Sequence, residues 1–162
     1  MSNPRELGRP PRLAGLYLRA LLGAGRRGDR AGRPERAGWS GDRAAGLPEL
    51  RLRTAVRPDR LARYRRVCGF PDDGGGGVPA TFPHLLAFPL ALRLMTSPAF
   101  PAPVLGLVHL RNSVTQYRPI EVGEPLTVRA WVGEFGDHDR GTTVELFAEA
   151  TAGGTPVWYE QS

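Results

Sequence analysis

The chain contains no lysine: all 22 of its basic residues are arginine. It has one cysteine, Cys68, which excludes an internal disulfide and any zinc site built from cysteines. Its three histidines, His84, His109 and His138, are scattered, and no ligand spacing for a metal emerges from them. Long apolar runs are absent, so no segment approaches a transmembrane span. The stretch from Leu13 to Ala24 is apolar but short, is broken by Arg19, and is not followed by a small-residue cleavage pattern. The expectation is a cytoplasmic protein without a signal peptide. Aromatic residues are sparse where charge is dense. Residues 1–66 hold 17 Arg against 6 acids, whereas 67–162 hold 5 Arg against 10, and Trp39 is the only aromatic between Arg26 and Arg63. A nucleic-acid-binding arm would want rings to stack on bases. The composition reads instead as a solvated tail rich in Arg, Ala, Gly and Pro, so neither nucleic acid nor membrane is an expected partner.

What is present is one domain's worth of periodic sequence in 162 residues. Met1 to Pro11 reads as a frayed terminus. Leu13, Leu16, Tyr17, Ala20 and Leu21 recur at helical spacing, which predicts a short amphipathic helix over 12–22. Gly23 to Gly46 lacks periodicity and reads as a flexible linker, giving an arm over 1–46 and a folded domain over 47–162. Glu49 to Val56 alternates, with Leu50, Leu52, Thr54 and Val56 on one face. Pro58 then opens a helix that Gly69 stops. The four glycines Gly74 to Gly77 would suit a phosphate cradle, but no Lys-Ser/Thr follows and no strand immediately precedes them. Thr81 is the expected N-cap of an apolar helix running from His84 to Met95, interrupted by Pro89. The remainder reads as strands: Val104 to Gln116, with Val108, Leu110 and Val114 inward; Leu126 to Phe135; Thr142 to Thr151; and Val157 to Gln161. The last of these runs into the end of the sequence, so the domain is expected to be truncated in its C-terminal strand or completed by something else. A buried helix followed by antiparallel strands gives an α+β domain, either a curved sheet wrapped around the helix or a generic α+β sandwich.

Two stretches carry a family resemblance. Tyr64-Arg65-Arg66-Val67-Cys68-Gly69 resembles the opening of the hydratase motif of MaoC-like dehydratases and (R)-specific enoyl hydratases. Arg118-Pro119-Ile120-Glu121-Val122-Gly123-Glu124-Pro125-Leu126 is similar to the Arg-Pro-aliphatic-x-x-Gly-Asp-x-Leu turn of the same family, with Gly123 making the bend and Leu126 the first inward side chain. The resemblance covers residues 47–162 and implies a hot-dog fold, an antiparallel sheet wrapped around a central apolar helix. Where the family motif continues with a general-base Asp and, five residues later, a His, this chain has Phe70 and Gly75.

Members of that family hydrate 2-enoyl thioesters or dehydrate 3-hydroxyacyl thioesters carried on coenzyme A or acyl carrier protein, with an Asp and a His sharing one water. Without that pair, the resemblance implies the N-terminal, non-catalytic half of a double hot-dog dehydratase of fatty-acid metabolism. Such a half has no catalytic residue, metal or cofactor of its own. Its expected partners are an acyl thioester and a second hot-dog domain, in cis or in trans. Thr81, Phe82 and His84, at the start of the central helix, are the expected substrate-binding residues, since backbone N–H groups there stabilise a thioester enolate in the family. His84 admits two readings, a substitute acid–base group or a capping and packed side chain. Asp72 and Asp73 are out of register with the lost motif, and Cys68 stands at its small-residue position, where packing is expected. The alternatives are a free-standing acyl-thioester-binding protein, tested by ligand stabilisation of this chain alone, and an Arg-rich nucleic-acid binder.

Overall fold

A computed structural model of the protein describes residues 4–28, 46–71, 77–139 and 141–162. Positions 29–45 of the expected linker, and 72–76 with Asp72, Asp73 and Gly75, lie outside the described residues. The elements run β1 (Arg5–Leu7), α1 (Leu13–Gly28), β2 (Leu50–Ala55), α2 (Pro58–Cys68), α3 (His84–Met95), β3 (Ser113–Gln116), β4 (Pro125–His138), β5 (Gly141–Ala152) and β6 (Thr155–Gln161). Six strands form one sheet in the order β1-β2-β4-β5-β6-β3. All neighbours are antiparallel except β1, which lies parallel to β2.

The sheet folds around α3, whose sequence HLLAFPLALRLM has no continuous polar face. A helix that is apolar nearly all round is stable only when covered on most sides. Two stripes of α3 serve two clusters. Leu86, Ala87, Leu90 and Leu94 pack with Leu52, Val56, Leu126, Val128 and Trp158 on the concave face of the sheet. Leu92 and Met95 pack with Leu16 of α1, Leu47, Phe100 and Phe135. Full burial of a Leu side chain contributes roughly 1.5–3 kcal/mol, so this one helix supplies much of the driving force. Pro89 lies inside the helix and is buried. Its ring removes one backbone donor, an interior cost of about 3 kcal/mol that the surrounding apolar contacts must offset.

The α2 helix begins at Pro58 and ends at Gly69, whose φ of 72° is the left-handed conformation that closes a helix. The turn before β4 is built as the resemblance implies. Gly123 has φ 85° and donates its N–H to Val56 O at 2.9 Å, while Ile120 and Leu126 are buried. Arg118 grips Glu124 with two hydrogen bonds, at 3.1 and 2.5 Å, and Glu124 also accepts the N–H of Glu121. That guanidinium holds the Glu124 carboxyl below the usual carboxylate range.

Several expectations need correction. The N-terminal stretch is not frayed throughout, because Arg5–Leu7 adds a strand to β2, and α1 continues to Gly28. Residues 104–112 form no strand, and Val108 and Leu110 are 77% and 68% exposed rather than inward. Only Ser113–Gln116 pairs, with β6. In β4 the register steps between Val132 and Phe135, so two residues, Gly133 and Glu134, stand opposite Glu145 alone. This bulge lets both Val132 and Phe135 face the helix. On the other face, a Cβ at Gly133 would lie 2.3 Å from the ring of Phe147, which stacks on Trp131. Cys68, expected to pack, is exposed.

Candidate functional site

The end of α2, the segment from Pro79 to Pro83, the start of α3 and the strand β6 meet at one place. Trp158 of β6 is fully buried and donates its indole N–H to Ala80 O at 2.7 Å, pinning the segment before α3 to the sheet. Tyr64 of α2 reaches the same segment through a 2.6 Å hydrogen bond between its hydroxyl and that of Thr81. Its ring packs edge-on against Phe82 at 5.3 Å. Phe70, standing where the family motif has Asp, stacks on the other side of Tyr64 at 5.7 Å. The position is occupied by aromatic packing, and a phenyl ring cannot activate water.

Each expected binding residue has a definite place. Thr81 is exposed but is not the N-cap of α3; that position is Pro83, with no side-chain cap hydrogen bond, and the Thr81 hydroxyl is spent on Tyr64. Phe82 is buried in the main core. His84 opens α3 with its side chain 38% exposed. Backbone donors here are largely committed: Phe82 N–H binds Pro79 O, Leu85 N–H binds Phe82 O, and both Leu86 and Ala87 N–H bind Pro83 O. Pro83 has no N–H. The outward-facing polar chemistry at this helix start therefore centres on the imidazole.

The imidazole is not alone. His84 Nδ1 lies 2.7 and 2.9 Å from the two carboxylate oxygens of Glu160 on β6, and Asn112 donates its Nδ2–H to the first of these at 2.7 Å. Glu160 is buried, 3% exposed, and it is the only buried charged residue among those described. Sequence reasoning missed both Glu160 and Asn112. The signal for Glu160 was present: it alternates with Trp158 on the inward side of β6, paired across to Ala148, where an apolar residue is the rule. Asn112, in an irregular segment, carried no such signal. His109 and Arg111 are exposed nearby in sequence, and His138 lies at the far end of β4. Among the described residues no group of His, Cys, Asp and Glu is arranged to hold a metal ion. Among them, too, no helix is long and apolar enough to cross a membrane.

No family model matches the chain. It is similar to 3-hydroxyacyl-thioester dehydratase X of Mycobacterium tuberculosis, with 34% identity over 105 residues, covering 65% of this chain and 37% of that protein. The crystal structure of HtdX from the same organism superposes with a TM-score of 0.64 at 32% identity, over 70% of this chain and 48% of that one. The chain thus spans less than half the length of these relatives. Two further structures share the fold at lower identity. One is the C-terminally truncated HadBC complex of M. tuberculosis, a 3R-hydroxyacyl-ACP dehydratase (TM-score 0.54, 18% identity, 67% of this chain and 86% of that one). The other is a MaoC-like dehydratase from Phytophthora capsici (TM-score 0.50, 20% identity, 75% and 48%). The helix wrapped by a curved sheet and these likenesses agree, and the chain is a hot-dog domain similar in sequence to part of 3-hydroxyacyl-thioester dehydratase X and in fold to MaoC-like dehydratases.

Proposed function

We propose that this chain is the non-catalytic hot-dog half of a 3-hydroxyacyl-thioester dehydratase (enoyl-thioester hydratase) acting in fatty-acid metabolism in the cytoplasm. It shapes the acyl pocket, and a second hot-dog domain, in cis or in trans, supplies the acid–base pair. The observation that carries this reading is Phe70. At the position where the family motif places its general base, the side chain is a ring stacked on Tyr64. Hydration needs one group to take a proton from water as another delivers one to the α-carbon, and neither Phe70 nor Gly75 can do so.

The similarity to less than half of HtdX supports a missing counterpart of comparable size. The sheet offers it a place. β3 is a terminal strand of the sheet, and the segment leading into it exposes Leu105, Leu107, Val108 and Leu110. An unpaired edge beside exposed apolar side chains is suited to strand pairing with another domain. The acyl thioester, on coenzyme A or on acyl carrier protein, lies against Thr81 and His84 in this reading, with Phe82 as the buried floor that sets their position.

The test is an assay of this chain with crotonyl-coenzyme A, alone and mixed with a hot-dog domain that carries an intact Asp/His motif. The expected outcome is no hydration by the chain alone and an altered chain-length profile in the mixture. Hydration by the isolated chain at a rate comparable with the partner's would overturn the reading.

A further inference from the structure

His84, Glu160 and Asn112 come from three separate parts of the sequence, yet they form one hydrogen-bonded chain at the start of α3. Burying a carboxylate costs several kcal/mol unless donors satisfy it, so a lone Glu at an inward strand position needs an explanation. Here the carboxylate accepts from the Asn112 amide on one oxygen and faces His84 Nδ1 with both. An ionised carboxylate only accepts, so Nδ1 carries the proton in this arrangement. The ring is held in one tautomer and one orientation, leaving Nε2 as the nitrogen that can meet a ligand. A carboxylate orienting an imidazole through Nδ1 is the general means of fixing what the other nitrogen does. Phe88, one turn along α3, flanks the ring at 5.6 Å. The N–H groups of Phe82, Leu85, Leu86 and Ala87 are already spent, and the hydrogen bonds of the ring to Glu160 run through Nδ1, which leaves Nε2 for a ligand.

We propose that Glu160, braced by Asn112, is a positioning residue that aims His84 Nε2 outward, and that this nitrogen accepts a hydrogen bond from the amide N–H next to the thioester of a pantetheine-linked acyl chain. The inference rests on the reading above that the chain contacts an acyl thioester. The pantetheine arm is common to coenzyme A and to carrier protein, and its amide N–H nearest the sulfur, a few bonds from the thioester, is a donor that an unprotonated ring nitrogen can accept. A single oriented ring nitrogen between α3 and β6 registers that end of the ligand, while the acyl tail runs on. His84 is the contacting residue; Glu160 and Asn112 act through it.

The experiment uses the whole chain with ¹⁵N-labelled histidine, titrated with a non-hydrolysable thioether mimic of crotonyl-coenzyme A and with the same mimic on pantetheine alone. Both mimics are expected to move the His84 Nε2 resonance while Nδ1 stays that of a protonated nitrogen. Glu160→Gln keeps the shape of the side chain and removes its charge. It is expected to leave the chain folded by circular dichroism, let the ring populate both tautomers, and weaken binding about tenfold, the size of one lost charge-assisted hydrogen bond. His84→Phe should weaken it at least as much, and Asn112→Ala less. Unchanged affinity in Glu160→Gln and His84→Phe would overturn this inference and leave the proposed function standing. Binding of the coenzyme A mimic but not the pantetheine mimic would also overturn it, since the nucleotide end would then carry the affinity. If the unaltered chain binds neither, the proposed function falls and the inference falls with it.

Discussion

The end of α2 and the start of α3 lie side by side, joined by Tyr64, and they have gone opposite ways. At the first, the position that belongs to a carboxylate in the family motif holds Phe70, and the neighbourhood is a stack of rings. At the second, a position inside the core that ordinarily belongs to an apolar residue holds Glu160, and the neighbourhood is a hydrogen-bonded chain of polar groups. The fold accepts both exchanges because neither changes the backbone: Gly69 still ends α2 in the left-handed conformation, and β6 keeps its pairing through Glu160. The lesson is that a hot-dog scaffold specifies where side chains point, while which of them is ionisable remains free to vary.

The comparison can be broken most severely by removing what supports both sites. Leu90 is fully buried in the middle of α3, and Leu90→Ala should cost about 2–5 kcal/mol in urea denaturation, disturbing both ends of the helix together. A more selective change is His84→Ala, which leaves the Glu160 carboxylate with Asn112 as its remaining donor. Its half-exposed setting limits the loss to about 1–3 kcal/mol, and Phe70 near-ultraviolet signals should be unaffected. Phe70→Asp restores the family's residue and removes the ring stacked on Tyr64. A stability loss of roughly 0.5–1.5 kcal/mol is expected, with no hydration of crotonyl-coenzyme A, since an Asp without its His cannot run both proton transfers. The smallest effect belongs to Glu124. Its carboxyl is held below its usual range by Arg118, so its contribution to stability is complete above that range and is lost as pH falls through the lowered value. Thermal midpoints recorded downward from neutral pH should show a slight acid-side decline that Arg118→Ala flattens.

Much of this architecture was legible in the sequence. The alternation in β4 and β5, the Pro58-to-Gly69 span of α2 and the apolar run of α3 each follow from local rules that the tertiary structure reinforces. Where the reading went astray, the cause lies in partners that sequence does not display. Val108 and Leu110 alternate like a strand, but the sheet places no neighbour beside them, and alternation has meaning only where a surface waits to be covered. Thr81 has the chemistry of an N-cap and instead meets a tyrosine seventeen residues earlier. The site was half legible: His84 stood out as an imidazole opening an apolar helix, while Glu160 and Asn112 reach it from 76 and 28 positions away.

The step in β4 has a consequence for the outer face of the sheet. Because Gly133 has no side chain, the ring of Phe147 can lie down where one would have projected, and from there it rests on Trp131 and approaches Tyr159. With Arg129 over Trp131, these rings make a paved strip across three strands on the side away from the helix. A missing methyl thus works as a socket, and the stacking of Phe147 on Trp131 depends on that vacancy.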